Sequence, residues 1–244
     1  MRGFYRQRAR VIAALATPLM FWLILGSGFG NSLSGGAAGE SYLDFFFPGA
    51  VALVVLFTSI FSNISIIEDR REGFLLSVLA APVPRYALVL GKALGATSIG
   101  ALQGILFLPL VPLLGLDLQW SALPAVAVLL FAMSLGLTGL GFFFAWRLNS
   151  TQGFHSVMNL VLMPMWLLSG ALFPPGGSAT WMAWLMAANP LTYGVTELRR
   201  LLGAGDPMVG PSASVCWAVT AGFAALALSV AVWEASRPSA KNLS

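Results

Sequence analysis

Six long apolar runs, at about residues 11–26, 45–67, 94–114, 123–146, 154–173 and 214–233, contain no Asp, Glu, Lys or Arg. Charge is confined to the gaps between them and to the two ends of the chain. In hydrocarbon every backbone N–H and C=O must be bonded within the segment, and a helix needs about 20 apolar residues to cross. The pattern therefore predicts an all-α polytopic membrane protein with six transmembrane helices. Only 9% of the residues are charged and 58% are hydrophobic, against about 25% charged in soluble domains. No polar window is long enough for a soluble unit, so residues 1–244 are expected to form a single transmembrane domain.

The first run follows Arg2, Arg6, Arg8 and Arg10, as a secretory signal peptide would. Pro18 lies inside it, no clean cleavage site follows, and five more spans come later. An uncleaved first span is the expectation. Around the start of the third run Gly91 and Gly95, then Ala96, Gly100 and Gly104, recur every four residues, a spacing that lets another helix approach closely. Gln103 is its one strongly polar residue.

The gap between the second and third runs reads EDRREGFLLSVLAAPVPRYALVLGK, from Glu68 to Lys92. Pro82 and Pro84 break it, since proline cannot donate to a helix ladder and disfavours helix at the residue before it. Before the break Phe74, Leu75, Val78 and Leu79 recur at helical spacing and make one apolar stripe. The charged group Glu68, Asp69, Arg70, Arg71 and Glu72, followed by Gly73, precedes that stripe. Glu68 and Asp69 are expected at the helix start, where the macrodipole favours acids. The segment reads as a short amphipathic helix, a hinge, and a second helix entering the bilayer near Lys92. A solvated loop would carry such charges; a docking element for a cytoplasmic partner would use the stripe as well.

Between Pro174 and Pro211 a dozen residues with Trp181, Trp184, Leu185 and Ala188 on one face are too short to span. They predict an interfacial or re-entrant helix. Asn189 then serves as N-cap with Pro190 at the first helical position, and Glu197 and Arg200 are spaced to pair.

An even number of spans puts both termini on one side. With the termini inside, eleven of the thirteen cations are inside and only Arg199 and Arg200 lie outside. The positive-inside rule supports that orientation, so the chain is expected in the cell (inner) membrane with both termini cytoplasmic. The net charge of +4 then reports topology and anionic lipid rather than nucleic acid.

Candidate chemistry is sparse. One cysteine, Cys216, excludes an internal disulfide, and one histidine, His155, has no carboxylate near it in sequence. A zinc-protease HExxH, a GxSxG elbow and a GxxxxGK(S/T) phosphate loop are all absent from the sequence. Ion-coupled carriers keep an ionisable group near the midplane, where it costs about 3 kcal/mol or more. The middles of these six runs have none. The expectation is a transport subunit, not an enzyme, whose energy comes from another chain.

Two stretches carry a resemblance. EDRREGFLLSVLAAPVPRYALVLGK, with Glu72, Gly73, Pro82 and Lys92, resembles the coupling-helix region of type-2 ATP-binding-cassette permeases. ANPLTYGVTELRRLL, with Asn189, Pro190, Thr192, Tyr193 and Arg199, is similar to their outer-loop motif. The six-span layout with outer-face helices before the last span agrees with both. Members often place an acid a few residues after the Glu-Gly, where this chain has Ser77 and Val78. The resemblance implies a permease subunit of an ATP-driven exporter, of the drug, polysaccharide or lipid class. It further implies a second permease copy (homodimer or close paralogue) and cytoplasmic ABC ATPase subunits that hold ATP and magnesium. No cofactor would be bound by this chain, and substrate would pass between the permeases. The aromatic and Met-rich spans suit an amphipathic or lipid-like substrate or simple packing against membrane lipid. Signalling or lipid extraction by a permease-like protein, or an ion-coupled carrier, are the other functions such a chain could have.

Overall fold

A helix that is apolar all round can be enclosed on every side, and one such helix organises the bundle. In the computed structural model, which describes residues 19–20, 22–24, 28, 42–73, 84–114, 120–172, 179–204 and 210–237, it is α1 (Tyr42–Phe61). Phe46, Phe47, Val51, Val54, Val55 and Leu56 are all fully enclosed. After a break at Ser62–Asn63 the chain continues as α2 (Ile64–Arg71), then α3 (Arg85–Ile105), α4 (Leu123–Arg147) and α5 (Thr151–Trp166). Two short helices, α6 (Thr180–Ala188) and α7 (Pro190–Leu201), precede the last helix, α8 (Ala213–Ser236).

Five stretches are long and apolar enough to cross a membrane: Tyr42–Arg71, Arg85–Pro112, Trp120–Arg147, Thr151–Ala171 and Ala213–Ser236. They correspond to the second through sixth expected spans, and the described residues contain no strand. The chain is an all-α, multi-pass membrane protein. Most of the first expected span lies outside the described residues. Trp22, which belongs to it, is buried, stands edge-on to Phe47 and donates its indole N–H to Leu43 O at 3.1 Å.

Two local expectations change. Glu68 and Asp69 stand in the last turn of α2, not at a helix start. The helix closes at Arg71, with Glu72 as C-cap and Gly73 next at φ 75°. Only glycine adopts that left-handed conformation without strain, and it terminates helices for this reason. The α2 terminus is instead complemented by Arg70 and Arg71, the charge sign its dipole favours. The third span begins well before Leu94: α3 starts at Arg85, and Pro84 at its N-cap lacks an N–H that would have no helical partner there anyway.

The exposed surface is unevenly distributed. The α8 span is the least buried of the five and the α1–α2 span the most. On α5 the buried side is Phe154, Met158, Leu162 and Trp166, while Gln152, His155, Ser156, Asn159 and Met163 form one exposed stripe.

Candidate functional site

The polar side chains collect at the two ends of the bundle, with a smaller group midway. One end is rich in arginine. Here Arg70 reaches from α2 to the C-terminus of α4, donating to Trp146 O at 2.8 Å, Leu148 O at 3.4 Å and Asn149 Oδ1 at 3.3 Å. Its guanidinium also lies 5.5 Å from the Trp146 ring centre. The last carbonyls of a helix lack intrahelical donors and carry the negative end of the dipole, so a cation there is doubly favoured. Arg85 does the same for α8, donating to Ala235 O at 3.4 Å and Arg237 O at 3.2 Å. Asp69 pairs with Lys92 of α3, which neutralises a cation nearly two turns inside that helix. Arg147 holds both carboxylate oxygens of Glu234, at 2.9 and 3.1 Å.

The charged group in the sequence is therefore divided. Asp69 and Arg70 are used internally. Glu68, Arg71 and Glu72 are exposed and form no ion pair among the described residues. The stripe Phe74, Leu75, Val78 and Leu79, and Pro82, lie outside the described residues.

The opposite end is built on a broken helix. After Trp166 the chain widens into a π turn, Leu167–Ala171, in which Gly170 has φ 77°. Widening and reversal take the carbonyls out of the regular ladder, and side chains replace the missing donors. Asn189 Nδ2 donates to Met165 O at 2.6 Å, Thr192 Oγ1 to Leu168 O at 3.2 Å and Arg199 Nη2 to Gly170 O at 2.8 Å. Ser169 Oγ donates to Trp166 O at 2.6 Å and the Tyr42 hydroxyl to Leu172 O at 3.2 Å. Arg199 also contacts Phe45 O at 3.4 Å and lies 4.1 Å over the Phe45 ring. Asn189 works in both directions, since its Oδ1 accepts from Leu191 N at 3.0 Å as the N-cap of α7. The Tyr193 hydroxyl bonds Ala187 O at 2.8 Å, joining α6 to α7. Three residues of the motif, Asn189, Thr192 and Arg199, thus converge on the broken end of the fifth span, while Tyr193 ties α6 to α7. Beside it Glu197, 2% exposed, pairs with Arg200 and accepts from the Trp217 indole at 3.1 Å.

Midway, spans approach closely where glycines allow it. A Cβ on Gly104 would stand 2.8 Å from Val55, and Gly100 faces the hydroxyls of Ser59 and Ser134. Ser59 and Ser134 bond each other at 2.7 Å, Ser134 donates to Thr97 O at 3.0 Å, and Thr58 bonds Gln103. Gly91 and Gly95 have nothing within 4 Å of an added Cβ, so only half of the glycine series packs against described residues. Asn63 fixes the break between α1 and α2. Its Nδ2 donates to Ser59 O at 2.9 Å, Ile60 O at 3.2 Å and, across the bundle, Thr138 O at 3.3 Å. Sequence reasoning missed this residue. An Asn at the end of an apolar run, opposite a glycine (Gly141) that leaves it room, was the available signal.

His155 is exposed with its ring 4.8 Å from that of Phe61. Among the described residues no group of His, Cys, Asp and Glu could hold a metal.

Residues 1–202 match the family model of the ABC-2 type transporter. The chain belongs to that family. Its curated relatives include the daunorubicin resistance ABC transporter permease protein of Streptomyces coeruleorubidus, 26% identical over 206 residues, which covers 83% of this chain and 71% of the relative. Nodulation protein J of Rhizobium meliloti is 26% identical over 226 residues, covering 90% and 85%. An inner membrane transport permease of Escherichia coli is 24% identical over 208 residues, covering 82% and 78%. The matched region extends past the end of α7 and stops before α8, so Glu234, Ala235 and Arg237 at one polar end and Trp217 at the other lie beyond it.

Proposed function

We propose that this ABC-2 permease is the membrane subunit of an ATP-driven exporter, a single transmembrane domain that moves an amphipathic or lipid-like substrate out of the cytoplasm. The observation that carries the reading is the division of charge at the foot of α2. Asp69 and Arg70 tie the helix to α3 and α4, while Glu68, Arg71 and Glu72 stay exposed on it. A held helix with free charges is suited to receive a partner, because its ordering cost is met before binding. The partner is a separate ATPase subunit on which ATP and magnesium bind and hydrolysis takes place. The arginine-rich end then faces the cytoplasm, with both termini, as the positive-inside rule favours.

The route is the exposed stripe of α5. Polar groups such as Gln152, Ser156 and Asn159 are costly against lipid and face a cavity or another helix in membrane proteins. A second permease copy, identical or a close paralogue, would cover that stripe and leave the path between the two. The relative named for daunorubicin resistance supports an amphipathic ligand and supplies a first probe.

The test is to purify the tagged chain from native membranes with whatever ATPase accompanies it, and to load inverted vesicles with daunorubicin outside. The expected result is a P-loop ATPase in the preparation and vanadate-sensitive, ATP-dependent accumulation. Accumulation that follows a proton gradient and survives vanadate would favour an ion-coupled carrier instead.

A further inference from the structure

Not every cation at the arginine-rich end meets an acid. Lys92 pairs with Asp69, and both carboxylate oxygens of Glu234 are taken by Arg147. Arg70 is half-buried and turned onto the carbonyls at the end of α4. Arg85 and Arg237 are exposed, and among the described residues neither has an ion-pair partner.

The meeting of α3 with α8 brings these two arginines together. Arg85, the first residue of α3, reaches across with Nη1 alone, to Ala235 O at 3.4 Å and to Arg237 O at 3.2 Å. Its Nε and Nη2 make no hydrogen bond among the described residues. The Arg237 guanidinium lies 3.4 Å over the ring centre of Trp233, and its N–H groups bond to none of the described residues. Each guanidinium therefore keeps donors of the planar fork that fits two oxygens of one anion. The N-terminus of α3, at Arg85, adds the positive end of its dipole.

The surroundings say which anion fits. The pair stands at the ends of two helices long and apolar enough to cross a membrane, and α8 is the least buried of the five spans. Exposed Trp233 and Tyr86 beside the arginines are the residue types that settle at headgroup level. Further along, Leu94 of α3 and Leu226 of α8 are exposed, and Gly91 and Gly95 have nothing within 4 Å of an added Cβ, so the α3 face is flat. A soluble anion would use the arginines alone. A phospholipid uses both parts, its phosphate on the arginines and its chains on the apolar faces.

We propose that Arg85 and Arg237 form a binding site for the phosphate of an anionic phospholipid, whose acyl chains lie along the outward faces of α3 and α8. The two cations and the helix N-terminus repel the ammonium of a zwitterionic headgroup, so the site selects by net charge. The proposal goes beyond the transport reading and does not rest on it.

Native mass spectrometry of the full chain, titrated in detergent with phosphatidylglycerol, phosphatidylcholine or inorganic phosphate, tests the site. Phosphatidylglycerol should form one adduct per chain, bound about tenfold more tightly than phosphatidylcholine. Excess inorganic phosphate should not displace it. Arg237→Gln removes a side chain that only overlies Trp233. It should melt like the wild type yet weaken phosphatidylglycerol binding about tenfold. Arg85→Gln should weaken it by a similar factor, while Arg71→Gln, at the exposed foot of α2, should leave it unchanged. Equal retention of the two lipids, displacement by phosphate, or wild-type binding in Arg237→Gln would each overturn the proposal. So would an Arg71→Gln loss as large as that of Arg237→Gln, which would reduce the effect to diffuse charge. Loss of a dimer rather than of lipid in Arg237→Gln would assign the face to a second copy instead. All of this is read without ATPase, so failure to recover an ATPase with the chain leaves the result standing, and the reverse also holds.

Discussion

Both ends of this bundle use side-chain donors on helix carbonyls, arginine foremost at one and Asn189, Thr192, Ser169, Tyr42 and Arg199 at the other, for different purposes. At the arginine-rich end Asp69, Arg70, Arg85, Lys92, Arg147 and Glu234 each connect one helix to another, and several of the contacts are open to solvent. Arg147 is half exposed, and Arg70 meets Asn149 at the surface. At the opposite end the donors are buried around a single broken helix and answer carbonyls that would otherwise be unpaired. Solvent-exposed pairs contribute little to stability, whereas an orphaned buried acceptor costs about 1–3 kcal/mol. One end is therefore built to be stable and the other to be connected. Substitutions should separate the two properties.

The largest stability effect is expected at Arg199. Replacement by Ala removes the donor to Gly170 O and Phe45 O together, and should cost about 3 kcal/mol. The readout is the melting temperature in detergent, and a shift within scatter would place the buried end on the same footing as the exposed one. Asn189→Ala should cost about 2 kcal/mol, since it removes an N-cap and the bond to Met165 O at once. Asn189→Ser, which can still cap α7 but cannot reach as far, should recover about half of that loss. Thr192→Val keeps the shape and deletes one O–H donor. Its expected cost is about 1 kcal/mol, visible as increased protease access between α5 and α6 at temperatures where the wild type resists. Glu234→Gln, at the exposed end, should leave the melting curve unchanged. What should change is transport-linked ATP turnover, and a drop in stability as large as that of Thr192→Val would erase the contrast between the ends.

Much of this arrangement was legible in the chain. Apolar run length located five spans, since the hydrocarbon requirement acts on composition and needs no tertiary information. Asn189 followed by Pro190 announced the start of α7, because the cap and the missing N–H are both local requirements. The placement of Glu68 and Asp69 was misread for a physical reason. Their acidity suggests a helix start, but Gly73 three residues beyond Arg70 decides the matter, and Asp69 is retained at the unfavourable terminus by Lys92 from another helix. Local sequence does not contain that partner. The roles of Asn189, Thr192 and Arg199 were equally hidden. Their spacing marks one motif, yet their acceptors are on residues 165–172, two elements away. The α5 stripe was visible only in part, because Asn159 stood out while the burial that sorts Gln152, His155 and Ser156 from Phe154 and Met158 comes from the neighbours.

In the proposed exporter an ATPase drives the permease through the segment from Glu68 to Lys92. The most direct test substitutes Glu72→Lys and, separately, Phe74→Ala, and measures ATPase co-purification and transport-linked ATP turnover at matched expression. Loss of a buried anchor or of a desolvated charge partner typically costs about 2 kcal/mol or more. Both variants should therefore lose most of the bound ATPase and its coupled turnover, with normal membrane expression. Wild-type values for both would contradict the account and leave the segment an ordinary charged loop.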